Sequence, residues 1–176
     1  TGQFMMIDTS TRRNLELVET LREKQKRGSL LWVLDKTKTA MGARLLRYFI
    51  EQPLIDKEEI ERRQQAIEEL NMNYISREEI REYLNSVYDL ERLMGRISYK
   101  TANPRDLLSF KNSLEMLPYI KDILGEFSCE LLKKMNEDLD PLRDLYELID
   151  RSIVDEPPIT VREGNIIKDE IGRAHV

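Results

Sequence analysis

One apolar stripe constrains what this chain can fold into more than any other feature. Between Asn103-Pro104 and Gly125, the residues Leu107, Leu114, Leu117, Ile120 and Leu124 recur at steps of seven, three, three and four. That spacing keeps them on one face of a helix. The Asn103 side chain is suited to accept from the first free amides, Pro104 sits where a helix has no use for an N–H, and Gly125 serves as the stop. A helix of about 30 Å with an apolar face does not stand alone in water, so the rest of the chain must supply helices to cover it. Pro118 lies inside the stripe, removes one backbone donor and predicts a kink near Leu114.

Further start signals supply those helices. Ser29 predicts the cap of a short helix carrying Leu30, Leu31, Val33 and Leu34, and Thr39 the cap of the next, with Leu45, Leu46, Phe49 and Ile50 on one face and Pro53 as its stop. Asp56-Lys57-Glu58-Glu59 reads as a capping box ahead of Ile60, Ile67, Leu70 and Tyr74. Ser76-Arg77-Glu78-Glu79 reads as a second, ahead of Ile80, Leu84 and Val87. Asp89 opens a helix with Leu90, Leu93 and Ile97 on one side, and Asp140-Pro141 opens the last, with Leu142, Leu145, Leu148 and Ile149. Strand character is confined to the ends. Phe4-Met5-Met6-Ile7 reads as an edge strand, Asn14 to Leu21 as either strand or helix, and Ile159 to Arg162 as a strand returning through a Glu163-Gly164-Asn165 turn to Ile166-Ile167-Lys168. The expected fold class is mainly α: a multihelical bundle with short N-terminal and C-terminal β segments. The linkers are short, and no internal domain boundary shows.

Composition narrows the function. Of 176 residues, 40% are hydrophobic and 35% charged, enough apolar content for a real core and too much for disorder. A single cysteine, Cys129, excludes a disulfide framework and a cysteine-based zinc site and fits a reduced, cytoplasmic compartment. No run approaches the roughly 18 apolar residues that span a bilayer. No signal peptide is visible, and the chain reads as starting mid-protein. The net charge of −5 argues against a stand-alone DNA binder, which would present a basic stripe. The densest basic run, Arg22-Glu23-Lys24-Gln25-Lys26-Arg27, reads as a solvated loop.

No residue set carries catalysis. The seven glycines are scattered and form no phosphate loop, so ATP has no recognisable site. The one histidine, His175, stands next to the last residue, where no triad can rely on it. Glu58-Glu59 and Glu78-Glu79 resemble paired acids, but capping and helix-dipole roles account for them. Cys129, Trp32 and the Met5-Met6 pair are read as packing residues. We therefore expect no catalytic, cofactor-binding or metal-binding residue.

Several segments resemble, in order, the core (lever) domain of the MutS-type DNA mismatch repair family. They are Asp8 to Glu16, Ser29 to Leu46 with Gln52-Pro53-Leu54, Ile60 to Gln64 with Ile67 to Leu70, Asp89 to Leu93 with Arg96, Asn103 to Leu107, Leu117-Pro118, and Glu156 to Gly164. Together they cover about Phe4 to Asp169. The resemblance implies residues 1–10 as the end of a connector, 11–169 as the first half of the core domain, and a role in coupling mismatch binding to an ATPase domain. ATP and Mg would belong to the parent protein and not to this segment. The implied partners are mismatched double-stranded DNA through that parent, a MutS homodimer and MutL, with no membrane. None of the family's functional residues can be carried over; Thr11 to Glu16 match closely but are expected to be a joint. Two other readings stand beside this one: an independent helical protein-interaction scaffold, and the core of a recombination-linked MutS paralogue. Asn165 stands where the family usually has a second glycine, and Asn tolerates the positive φ such a turn needs. Glu170 to Val176 departs from the family and back-translates to a common sequencing-adapter sequence, so residues 170–176 are expected to be a non-native tail.

Overall fold

The cap residues set the helix starts. The computed structural model describes residues 3–169. Among them run nine α-helices: α1 (Thr9–Asn14), α2 (Leu30–Leu34), α3 (Ala40–Glu51), α4 (Lys57–Met72), α5 (Tyr74–Asn85), α6 (Leu90–Ser98), α7 (Pro104–Leu124), α8 (Glu130–Asp138) and α9 (Arg143–Ser152). Asp8 accepts from the Thr11 amide at 2.8 Å, Ser29 from Trp32 at 3.2 Å, Thr39 from Gly42 at 2.9 Å, Asp56 from Glu59 at 3.1 Å and Asp89 from Arg92 at 3.2 Å. At α7 the box is reciprocal: Asn103 accepts from the Asp106 amide and Asp106 accepts from the Asn103 amide, both at 2.8 Å. The fold is mainly α, as the sequence predicts.

The chain divides into two compact units, one of residues up to 74 with 129–131, the other of 75–128 with 132 onward. The first gathers Leu17, Val18 and Leu31 into a small core, with Ile7, Leu46 and Ile50 packed against it. Irregular backbone reaches that core because the Leu30 and Leu31 amides donate to the Glu16 and Leu17 carbonyls at 3.1 and 2.9 Å. The second is built on α7. Phe110 and Leu114 are 2% and 1% exposed and join Leu93, Leu117 and Ile149; α6 and α9 lie on this helix. Burial of each such side chain stabilises by about 1.5–3 kcal/mol. α7 runs on through Pro118 as one helix.

Several expectations are corrected. Phe4 to Ile7 is not a strand: only Phe4 bridges Leu54. Asn14 to Leu21 is neither strand nor helix throughout, because α1 ends at Asn14 and Glu16 turns the backbone at φ 48°. Asp56 caps α4, but no reciprocal bond from Glu59 closes a box; Glu59 pairs with Arg62 at 3.0 Å. Ser76 does not open α5, which starts at Tyr74; its hydroxyl donates to Glu126 at 3.0 Å. Glu78 and Glu79 therefore lie beyond the first turn, where Glu78 pairs with Arg77 and Arg81 and Glu79 accepts from the Tyr83 hydroxyl. The last helix starts at Arg143, since Asp140 accepts from the Leu142 amide and Leu142 takes φ 50°. α8 carried no sequence signal that we read. Trp32 is 48% exposed and Met6 98%, so neither is core, and Met5 is exposed too. Thr160 and Glu163 cap each other and curl Val161–Glu163 into a 3₁₀ turn, which diverts the expected strand. Ile167 pairs instead with Ile153 at the end of α9. The positive φ expected at Asn165 is present, at 54°, beside Gly164 at 71°. The readings of His175 and of 170–176 as a non-native tail fall outside the described residues.

Candidate functional site

Several of the segments that carry the family resemblance fall at corners where helices meet loops, while Ile60 to Leu70 and Leu117-Pro118 lie inside α4 and α7. In the second unit, Asn103 to Leu107 forms the start of α7. Asp106 closes the box at Asn103 and also meets the Arg96 guanidinium at 3.0 Å, joining the end of α6 to the start of α7. Thr101 and Ala102 amides donate back to the Arg96 carbonyl at 2.8 and 3.1 Å. Arg105 Nε donates to the Pro157 carbonyl at 3.4 Å, and Leu107 packs into the α7 core. Arg105, Asp106 and Leu107 thus each fasten a different neighbour.

The first unit repeats the pattern. Asp8 accepts from both the amide and the hydroxyl of Thr11, and these bonds hold its carboxyl below the usual carboxylate range. Arg12 reaches Glu51 at the end of α3. Glu16 caps the Leu21 amide at 2.7 Å. Lys26 and Asp35 form an ion pair that ties the basic loop to the end of α2, and Asp35 also accepts from the Thr37 hydroxyl at 2.6 Å. The Lys26 hydrogen bond, then that of Thr37, lower the Asp35 carboxyl to about 2. Gly42 sits where a Cβ would stand 3.1 Å from Thr39 Oγ1, so a larger residue would press on the α3 cap. Thr11, Arg12 and Glu16 are all engaged in such local bonds.

A third set of charges links α7, α9 and the C-terminal segment. Lys111 meets Asp150 at 3.0 Å, and Lys168 donates to the Asp150 carbonyl at 2.7 Å and approaches Asp155 at 3.6 Å. Burial works to lower the Lys111 ammonium, but the hydrogen bond and charge of Asp150 override it and raise it. Lys111 in turn lowers Asp150. Such partly exposed pairs contribute at most about 1 kcal/mol each and act mainly on geometry.

The other residues singled out from the sequence come together in no reacting constellation. Cys129 is half-buried, and its amide donates to Glu69 at 2.8 Å. The basic run from Arg22 to Arg27 is an exposed loop, as read. Among the described residues, no group of three or more His, Cys, Asp or Glu is placed to hold a metal ion, and no helix is long and apolar enough to cross a membrane. What sequence reading missed is the second job of Asp106: its i+3 spacing from Asn103 signals a box, but nothing local signals the Arg96 pair.

The family model described as MutS domain III matches residues 10–174. The DNA mismatch repair protein MutS of Lachnoclostridium phytofermentans is 68% identical over 169 residues, which is 96% of this chain and 18% of that protein. MutS of Clostridium tetani is 52% identical over 166 residues, 94% of this chain and 19% of its own length. MutS of Caldanaerobacter subterraneus subsp. tengcongensis is 55% identical over 168 residues, 96% and 19% respectively. The chain spans less than a fifth of the length of these curated relatives.

Proposed function

The chain belongs to the MutS domain III family, and from that premise we propose that it is a transmission element of a mismatch repair protein, coupling mismatched-DNA binding to a distant ATPase domain without catalysis of its own. One observation supports this reading. Several residues of the segments that carry the family resemblance fasten corners: Asp106 to Arg96, Arg105 to the Pro157 carbonyl, Asp35 to Lys26, Arg12 to Glu51. A ligand site would display its defining residues; a mechanical part uses them internally. Packed elements held this way shift between discrete arrangements and do not bend smoothly.

In this reading residues 11–169 are the first half of the core domain, and residues 1–10 end the connector before it. The parent protein works in the cytoplasm, hydrolyses ATP with Mg at a domain outside this segment, grips mismatched double-stranded DNA as a homodimer and recruits MutL. The three relatives, each a DNA mismatch repair protein MutS, do not favour an independent scaffold or a recombination-linked paralogue.

Titration of the 176-residue chain with matched and mismatched duplexes tests the proposal. The expected curves are weak, superposable and abolished by moderate salt, and ATP turnover stays at the buffer level. Preference of the chain alone for the mismatched duplex would overturn the reading.

A further inference from the structure

α2 turns most of its apolar surface outward. Of its five residues only Leu31 is buried, at 3% exposed. Leu30, Val33 and Leu34, at steps that share one helix face, are 43%, 56% and 49% exposed, and Trp32 beside them is 48% exposed. The Leu30 amide donates to the Glu16 carbonyl at 3.1 Å, so the end of α1 borders this face and adds the exposed Leu15. Single exposed apolar residues are ordinary, whereas a contiguous group marks a surface that another surface covers. The charges around this group have one sign. Arg27 enters α2 through a turn closed by the Ser29 amide on the Lys26 carbonyl at 3.0 Å, and Lys38 follows α2 out. Up to Leu54 the sequence holds ten Lys or Arg against six Asp or Glu, a surplus of four in a chain whose net charge is −5. Glu51 is shared by Arg12 and Arg47, and Asp35 is taken by Lys26. Arg13, Arg22, Lys24, Arg27 and Lys38 are exposed and have no ion-pair partner among the described residues.

An occupant of this face has to bring apolar side chains and negative charge together. The face offers side chains and no free strand edge, since the Leu30 and Leu31 amides are bonded to Glu16 and Leu17 and the Val33 amide to the Ser29 carbonyl. The fitting partner therefore satisfies its own backbone, as an amphipathic helix does. Duplex DNA would answer the cations but leave Leu30, Val33 and Leu34 in water. The chain spans less than a fifth of the length of its MutS relatives. Most of the surface able to cover α2 thus belongs to the same polypeptide, where tethering supplies a high local concentration. We propose that the outer face of α2, flanked by its cations, seats an acidic amphipathic helix from the remainder of that polypeptide. This rests on the reading of the chain as one part of a MutS protein. The apolar side chains hold the helix, and the cations fix its register.

Hydroxyl-radical footprinting read by peptide mass spectrometry tests this on native side chains, with Trp32, the chain's one tryptophan, as the reporter. The 176-residue chain and a whole MutS protein containing it are compared at equal radical dose. Trp32 should oxidise at least about fivefold more slowly in the whole protein, because the core of an interface excludes water. Arg27→Glu with Lys38→Glu, both at exposed positions, should return its rate in the whole protein to within about twofold of the free chain, at an unchanged melting temperature. Arg27→Lys with Lys38→Arg keeps the charge and should keep the protection. Equal rates in the two proteins, protection that survives charge reversal, protection that needs added duplex, or protection lost on dilution would each overturn the proposal. The last two would assign the face to nucleic acid or to a second copy. The duplex titration of the chain alone is independent of all four, so either reading can fail without the other.

Discussion

Ser113 is fully buried in the middle of α7, and its hydroxyl makes two bonds. It donates to the Ser109 carbonyl at 2.9 Å, and it accepts from the Tyr88 amide at 2.9 Å. The second bond matters more, because it fixes the turn between α5 and α6 against α7. Ser113→Ala leaves the Ser109 carbonyl with its helical bond but strips the Tyr88 N–H of its acceptor, and that N–H aims at a position closed to water. An unsatisfied buried donor costs about 1–3 kcal/mol, whereas truncating an exposed hydroxyl costs within about 0.5 kcal/mol either way. Ser86, exposed beside the same turn, provides the comparison through Ser86→Ala. Urea denaturation followed by helix circular dichroism should show Ser113→Ala losing about 2 kcal/mol through a lower midpoint at unchanged slope. If the chain melts as one transition, that is about 4–8 °C. A Ser113→Ala midpoint equal to that of Ser86→Ala would refute the claim that this hydroxyl ties the turn to α7.

Three further outcomes follow from single residues. Asn103→Ala removes the side-chain half of the α7 box, leaving the Asn103 amide on Asp106, and should cost about 1 kcal/mol, read by the same denaturation; a loss no larger than an exposed-site control would contradict the cap. Asn165→Ala at φ 54° should destabilise by about 1 kcal/mol, while Asn165→Gly stays near neutral; equal effects would show that the backbone there is not left-handed. Asp35 has its folded pKa depressed to about 2, so its contribution is present above the unfolded value near 3.8 and is lost as pH falls toward 2. Asp35→Asn should therefore lower stability at neutral pH and flatten the acid limb of the stability curve between pH 4 and 2; an unchanged acid limb would remove Asp35 from the account.

Local chemistry decided what could be read from the sequence. The caps at Ser29, Thr39, Asp56, Asp89 and Asn103 were legible because each side chain bonds an amide three residues on, a contact that depends on nothing distant. Ser76 misled because the same Ser-x-x-Glu pattern gives way to a partner fifty residues away, Glu126. α8 went unread because it has no cap signal and buries only Leu132. The alternation from Ile159 to Arg162 gives way to the Thr160–Glu163 box, which holds Val161–Glu163 in a 3₁₀ turn. Trp32 reads as core from its place in the apolar run Leu30 to Leu34, but α2 has only five residues and buries only Leu31. The candidate site was legible as segments and not as corners, since the Arg96–Asp106 and Arg105–Pro157 contacts join residues whose pairing no periodicity encodes.

The central claim is that these corners carry a signal between sites that lie elsewhere in the parent protein. Asp106→Asn in a whole MutS protein containing this segment weakens the Arg96 corner while adding no bulk. The deciding measurement is the rate at which ATP releases a mismatched duplex, alongside mismatch affinity without ATP and ATP hydrolysis without DNA. A transmission role predicts release slowed about tenfold, with the other two values held within about twofold, because coupling is a free energy separate from either binding term. Release at the native rate, or a parallel fall in all three, would contradict it.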